Sequence, residues 1–331
     1  MDRGPRMTPC IRSNDASTRN ESRPRRRASA FTVTEVLVSL AIIALILALL
    51  LPAIQRSRES ARLISCRNNL HNIGVALHAF EATHGHFPAF SKAYVENGYG
   101  YSCLVQLLPH MDQANSFHKL DYSLSPTAEK NLTATQQING ALILQCPSDH
   151  VQDPLTALYL GNRGTGVAPQ TTETVPGLAN QYDGFLGRPE GVRASSIFGG
   201  LSNTAAFSEC RAIIDPADGL IDLPMSVETI EDWQTACQTC AGLLKGSLTI
   251  EDVACPLGWV WTSATLASST YNHVLTPGNN ACDFHRDQRM SVIPPSSRHS
   301  AGVNLLRADG SAAFQSKHVD AVVWRDLGSR D

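Results

Sequence analysis

From Val36 to Gln55 the sequence reads VLVSLAIIALILALLLPAIQ, twenty residues without a formal charge. As an α-helix this run extends about 30 Å, the thickness of a bilayer's hydrocarbon core. Its one nearby carboxylate, Glu35, stands at its start, and the arginine-rich RPRRRASA (Arg23–Ala30) precedes it. A secretory signal peptide also joins a basic head to an apolar segment. Here, however, the run is longer than an h-region and no small-residue cleavage site closes it. The small residues Ala28, Ser29 and Ala30 lie before it. A cut there leaves the whole helix on the mature chain. A carboxylate inside a spanning segment costs roughly 2.5–3.5 kcal/mol, so Glu35 calls for a partner or for interfacial water.

Charge orients the segment. Before Phe31 there are eight arginines against Asp2, Asp15 and Glu21, which predicts a cytoplasmic N-terminus with everything after the helix outside. Arg56, Arg58, Arg62 and Arg67, offset by Glu59, weaken this bias without reversing it. Residues 1–30 are poor in apolar side chains and are expected to be disordered; Met7 is an alternative start. The whole-chain charge of −3 gives no push toward nucleic acid as a partner.

Beyond the apolar run, Leu63, Cys66, Leu70, Ile73, Leu77 and Phe80 recur at intervals of three and four. That spacing predicts an amphipathic continuation of the same helix, stopped by Gly85 and Pro88. The expected organisation is a leader over 1–30, a long helix over 31–86 (spanning about 34–54, amphipathic over 55–84) and an extracytoplasmic domain over 87–331. The last part, about 245 of the 331 residues, is ample for a core. The predicted class is α+β, with the helix packed on a C-terminal antiparallel sheet and long loops. Short runs at 142–146, 157–161, 205–209, 259–262, 303–307 and 312–314 read as strands, and 226–244 and 319–327 as helices. Asp309-Gly310 between the last two strands predicts a type I′ hairpin. Nine cysteines suit an oxidising compartment, and Cys237, Cys240, Cys255 and Cys282 are the group most expected to be bridged. No repeat is apparent.

The N-terminal arrangement resembles that of type IV prepilins and pseudopilins. The resemblance implies cleavage by a prepilin peptidase between Ala30 and Phe31, methylation of Phe31, and Glu35 as the fifth mature residue; the family prefers Gly where this chain has Ala30. Pro52 falls where the family's helix carries a proline kink. Glu35 then sets register in assembly by meeting a neighbouring subunit's terminal amine. A second resemblance covers about residues 31–331, to the pilin-like family of planctomycete-type bacteria carrying DUF1559. It rests on RESARLISCRNNLHNIGVALHAFEATHGHFP (58–88), LVQLLPHMDQ (104–113), CPSD (146–149), YLGNRGTG (159–166), GLSNTAAFSE (200–209), YNHVLTPGNNAC (271–282) and RHSAGVNLLRADGSAAF (298–314). In the last of these, nine residues separate His299 from Asp309-Gly310.

Several motifs invite chemistry. CPSD and GNRGTG lack the Lys-Ser/Thr of a phosphate loop and read as turns. Cys237-Gln-Thr-Cys240 could be a redox pair or half a zinc site, but no second pair follows, so structural disulfides are the favoured reading. Ser202, His299 and Asp309 do not make a hydrolase triad, because the Ser202 segment lacks a nucleophile elbow. His84 and His86 could chelate a metal, although solvated helix-end histidines are commoner. His299 and Asp309 are expected to pair across the last hairpin. Calcium is raised by analogy with some pseudopilins, yet no EF-hand spacing supports it, and no cofactor is expected. These readings predict a non-enzymatic, membrane-inserted, pilin-like subunit that self-associates into a pseudopilus or surface fibre. The alternative is an anchored extracellular binding module that does not polymerise.

Overall fold

The computed structural model describes residues 32–92, 100–138, 143–149, 153–166, 183–188, 190–211, 220–223, 230–243, 253–255, 258–284 and 290–331. Two units divide the chain, one ending at Ile54 and one running from Gln55 to Asp331. A 52-residue helix, α1 (Val33–His84), supplies the described part of the first and opens the second.

In the first unit every Val, Leu and Ile from Val33 to Ile54 is exposed. The helix is capped by its own sequence: Glu35 Oε2 accepts from the Thr32 amide at 2.8 Å and the Glu35 amide donates to Thr32 Oγ1 at 3.3 Å. This is the reciprocal capping box of a T-x-x-E start. Pro52 lies within the helix and removes the donor that the Ala48 carbonyl would otherwise use.

In the second unit α1 buries Cys66, Leu70, Ile73, Gly74, Ala76, Leu77 and Phe80. It ends where the sequence reading stops it, at Gly85, whose φ of 75° is easy only without a Cβ. A short ladder follows, β1 (Ser91–Lys92) with β2 (Tyr101–Ser102), then three short helices, α2 (Cys103–Leu107), α3 (Ala114–Phe117) and α4 (Glu129–Gln136). Asn131 locks this region: its amide donates to the Tyr101 hydroxyl and to the carbonyls of Asp121 and Ser125.

The remaining strands are β3 (Tyr159–Asn162), β4 (Ala205–Glu209), β5 (Leu220–Leu223), β6 (Val253–Cys255), β7 (Thr270–Tyr271), β8 (Ala281–Phe284), β9 (Met290–Val292), β10 (Gly302–Arg307) and β11 (Ala312–Ser316). They form a five-stranded sheet, β11-β10-β4-β3-β7, and a four-stranded sheet, β6-β5-β8-β9. The class is α+β, but each sheet is mixed rather than antiparallel, because β3 pairs with β7, and β5 with β8, in parallel.

Alternation along the central strands divides the core. Tyr159, Phe207 and Leu306 join the α1 stripe on one face of the larger sheet. Leu160, Ala205, Leu305, Tyr271 and Trp324 share the other. Trp324 sits on α7 (Ala321–Gly328), which Asp320 caps through its side-chain oxygen. The Trp324 ring stacks on His273 at 3.9 Å, and its carbonyl lies 2.7 Å from His273 Nδ1. Burial pushes His273 down to about 3, with that hydrogen bond acting the other way. A third cluster joins α5 (Ile230–Gly242) to the smaller sheet through Cys240, Cys282 and Phe284.

Two strand expectations and one turn type need correcting. The described residues from 143 to 146 form a tight turn, and 259–262 holds only an isolated bridge at Trp259. There Gly258 (φ 72°) and Val260 (φ 51°) turn the backbone through the left-handed region, which no extended run allows. The Asp309-Gly310 hairpin is present, but only Gly310 has positive φ, at 85°. The Gly310 amide returns to the Arg307 carbonyl, and Asp309 Oδ1 accepts from the Ser311 amide. That is a type I turn followed by a left-handed glycine, not type I′.

Candidate functional site

A buried polar cluster centres on His299, in the turn that leads into β10. A Ser297 hydroxyl accepts from the His299 amide at 3.2 Å and shapes that turn. The imidazole then meets two carboxylates. Its Nδ1 lies 2.7 Å from Glu59 Oε1 on α1, and its Nε2 lies 3.7 Å from Glu209 Oε1 at the end of β4. Nε2 is also 3.7 Å from Cys146 Sγ, which is bridged to Cys66 on α1. Cys66, Cys146, Glu209 and His299 are all buried, and one ligand atom from each falls within 4.8 Å of the others.

Glu209 is almost fully buried, and that burial pushes its carboxyl above the ordinary carboxylate range. Donation from the Asn304 amide at 2.9 Å and from its side chain at 2.8 Å opposes the shift, as does His299. Tyr159 stands beside it on β3, its phenol raised by burial and by the Glu209 charge. Asn69 of α1 donates to the Tyr159 hydroxyl and to the Gln145 carbonyl, tying helix, strand and the Cys146 turn together.

His299 also forms part of the wall of a cavity of about 380 Å³ lined by Arg211, Arg298, Lys317, Ser296 and Ser297. Three permanent cations and no carboxylate appear among its lining residues. Arg298 lies 3.7 Å from the buried Asp149 of the CPSD segment. Such a wall suits a small anion.

Other residues singled out in the sequence sit elsewhere. His299 and Asp309 do not pair: β10 lies between them, so the nine-residue spacing measures one strand and its turn. Asp309 instead shapes the hairpin tip, where the Gly310 carbonyl lies 3.3 Å from His71 Nδ1 of α1. A Cβ on Gly74 would come 3.1 Å from Gly310 Cα, so this close approach needs a helical glycine. Ser202 is exposed in a turn. His84 and His86 are 6.2 Å apart around Phe80, with each Nδ1 engaged by a backbone carbonyl. Cys240 is bridged to Cys282, whereas Cys237, one turn earlier on α5, keeps a free thiol. The Cys255 side chain, Ala30 and Phe31 lie outside the described residues. Glu35 closes the capping box described above.

The sequence reading missed Glu59, Cys66, Cys146 and Glu209 as site residues. Their signal was present in another form. Glu59 and Cys66 lie in the 58–88 segment, Cys146 in CPSD, Glu209 in GLSNTAAFSE and His299 in the 298–314 segment. Four separate motifs therefore converge on one site.

An α+β domain carrying an apolar N-terminal helix is compatible with a membrane-anchored extracellular protein, the helix serving as anchor or signal. The chain belongs to the family described as "Protein of unknown function (DUF1559)", which matches residues 55–322. No match was found among curated proteins or among solved structures.

Proposed function

We propose that the protein is a pilin-like structural subunit, anchored in the membrane by the first part of α1, rather than an enzyme. The observation that carries this reading is the exposure of every large aliphatic side chain from Val33 to Ile54. Such a surface needs lipid or other helices around it. In the proposed pathway the basic leader stays cytoplasmic and a prepilin peptidase cuts between Ala30 and Phe31. The helices of several subunits then leave lipid for a common bundle, Glu35 setting their register against a neighbour's terminal amine. The domain decorates the outside of a pseudopilus or surface fibre.

Mass spectrometry of the N-terminal peptide from native membranes tests the first step. An N-methylated Phe31 terminus is the expected result; an intact leader, or a cut after the apolar run, would sink the reading. Assembly is tested by imaging fibres from cells carrying Glu35→Ala, which is expected to insert normally and form none.

The cavity at Arg211, Arg298 and Lys317 favours a second reading, an anchored module that binds a small anion and does not polymerise. Under it, Glu35→Ala changes nothing, and Arg211→Ala with Lys317→Ala weakens binding of inorganic phosphate or sulfate to the purified chain.

A further inference from the structure

We propose that reduction of the Cys66–Cys146 disulfide opens a zinc-class metal site made of these two sulfurs, His299 Nε2 and a Glu209 carboxylate oxygen. The site would be a clasp whose link between α1 and the 143–149 turn is covalent when oxidised and metal-mediated when reduced.

Three observations carry this. The first is spacing. Tetrahedral zinc, bound at about 2.0–2.3 Å, holds its ligand atoms roughly 3.3–3.8 Å from one another. Here Nε2 lies 3.7 Å from both Cys146 Sγ and Glu209 Oε1, inside that range, and all four donors fall within 4.8 Å; the two sulfurs can take up that spacing only once the bond between them is cut.

The second is the outer shell. Glu59 Oε1, 2.7 Å from Nδ1, accepts a hydrogen bond from that nitrogen in the tautomer that leaves the Nε2 lone pair facing the sulfurs and Glu209. A carboxylate behind a ligating histidine is the usual support of such a ligand.

The third is donor type. Two thiolates and an imidazole favour zinc-like ions, whereas calcium takes oxygen ligands and is not matched by this set. A divalent cation also makes the ionised donors tolerable: it reduces the three buried anions, two thiolates and a carboxylate, to a net charge of one, whereas without it the sulfurs keep their protons.

The chemistry closes. A dithiol donor gives two electrons and two protons to the S–S bond and is itself oxidised to a disulfide, leaving two thiols on this chain. Binding one M²⁺ then releases both thiol protons to solvent, so affinity rises with pH.

The test uses the full chain in detergent, oxidised or reduced with a phosphine that is then removed, and titrated with Co²⁺ and Zn²⁺. The reduced chain is expected to bind one Co²⁺ with a thiolate-to-cobalt charge-transfer band that Zn²⁺ displaces; the oxidised chain shows no band. Because the reductant also opens Cys240–Cys282, alkylation mapping assigns the sulfurs. Zn²⁺ should protect Cys66 and Cys146 from alkylation in the reduced wild type. Glu59→Gln should keep the band and weaken the metal 10–100-fold. Absence of the band, or protection of Cys237, Cys240 and Cys282 in place of Cys66 and Cys146, overturns the proposal. Mapping needs no variant, so a misfolded mutant does not blunt it.

Discussion

The two stretches of α1 are built from the same backbone and differ in what their side chains touch. From Val33 to Ile54 leucine and isoleucine cover the helix on all sides, and none of its most apolar window is buried. From Gln55 to His84 one stripe is buried while Arg58, Arg62, Arg67 and Asn68 occupy exposed positions. A helix apolar all round asks for a surrounding, whereas one with a stripe asks for a face, and the second stretch has found its face on the five-stranded sheet. The lesson is that continuity of a helix says nothing about continuity of its solvent. The second stretch draws its stability from the domain. The first has no such face, and under the proposed function lipid or other copies would surround it.

The strongest way to separate the stretches is acid. His273 is held neutral by burial, with its pKa lowered from 6.5 to about 3. Between those values the unfolded chain binds a proton that the fold does not, so stability is full above pH 6.5 and falls as pH drops toward 3. The loss is on the order of 5 kcal/mol at the low end. Near-UV dichroism of the domain in detergent should show unfolding in this window, while far-UV signal from the apolar stretch survives. Replacing His273 by Asn should flatten the dependence; an unchanged acid midpoint in that variant refutes the assignment.

Next in size is the clasp at Cys66. Its bridge closes a separation of 80 residues, worth about 4.5 kcal/mol in the chain-entropy account. Cys66→Ala with Cys146→Ala should lower the urea midpoint of the domain accordingly and leave membrane partitioning unchanged. Packing gives a direct pairwise comparison. Leu70→Ala, at a fully buried site, should cost about 3 kcal/mol of domain stability, and Leu45→Ala, at an exposed one, close to nothing. Equal losses would mean that the apolar stretch is packed against the domain after all.

Much of this division was legible in the sequence, and the reasons are physical. A charge-free run and a three-four stripe are local patterns, and local patterns set helix faces directly. The stop at Gly85 is equally local. The run at 259–262 misled because a short apolar stretch reads alike as strand or turn, and nothing in its composition announces positive φ at Val260. Asp309-Gly310 announced its hairpin but not its turn type, since the same dipeptide serves both. The His299 cluster was not legible as a site. Glu59, Cys146, Glu209 and His299 are brought together by the packing of α1 on the β4–β10 face, and spacing along the chain carries no trace of that. What could be read was that each lay within a family motif.

Smaller effects refine the comparison. Gly74→Val places methyls against Leu306 and the Gly310 backbone, where even a Cβ would sit at 3.0–3.2 Å. About 2 kcal/mol of overpacking is expected, read as a lower domain melting temperature, with no effect on insertion.

The smallest change in stability asks the sharpest question, because Glu35 has two roles on offer. In the structure its carboxylate caps its own helix by accepting from Thr32. In the proposed fibre its charge meets a neighbour's amine. Glutamine at the third helical position still completes a capping box but carries no charge, whereas alanine does neither. Amide exchange in the first turn should therefore be unchanged in Glu35→Gln and faster in Glu35→Ala. If charge pairing drives assembly, both variants lose fibres although only one loses its cap. Fibres that persist in Glu35→Gln and vanish in Glu35→Ala would make the carboxylate a helix start alone, and the register of any assembly would then have to come from the aliphatic surface between Val33 and Ile54.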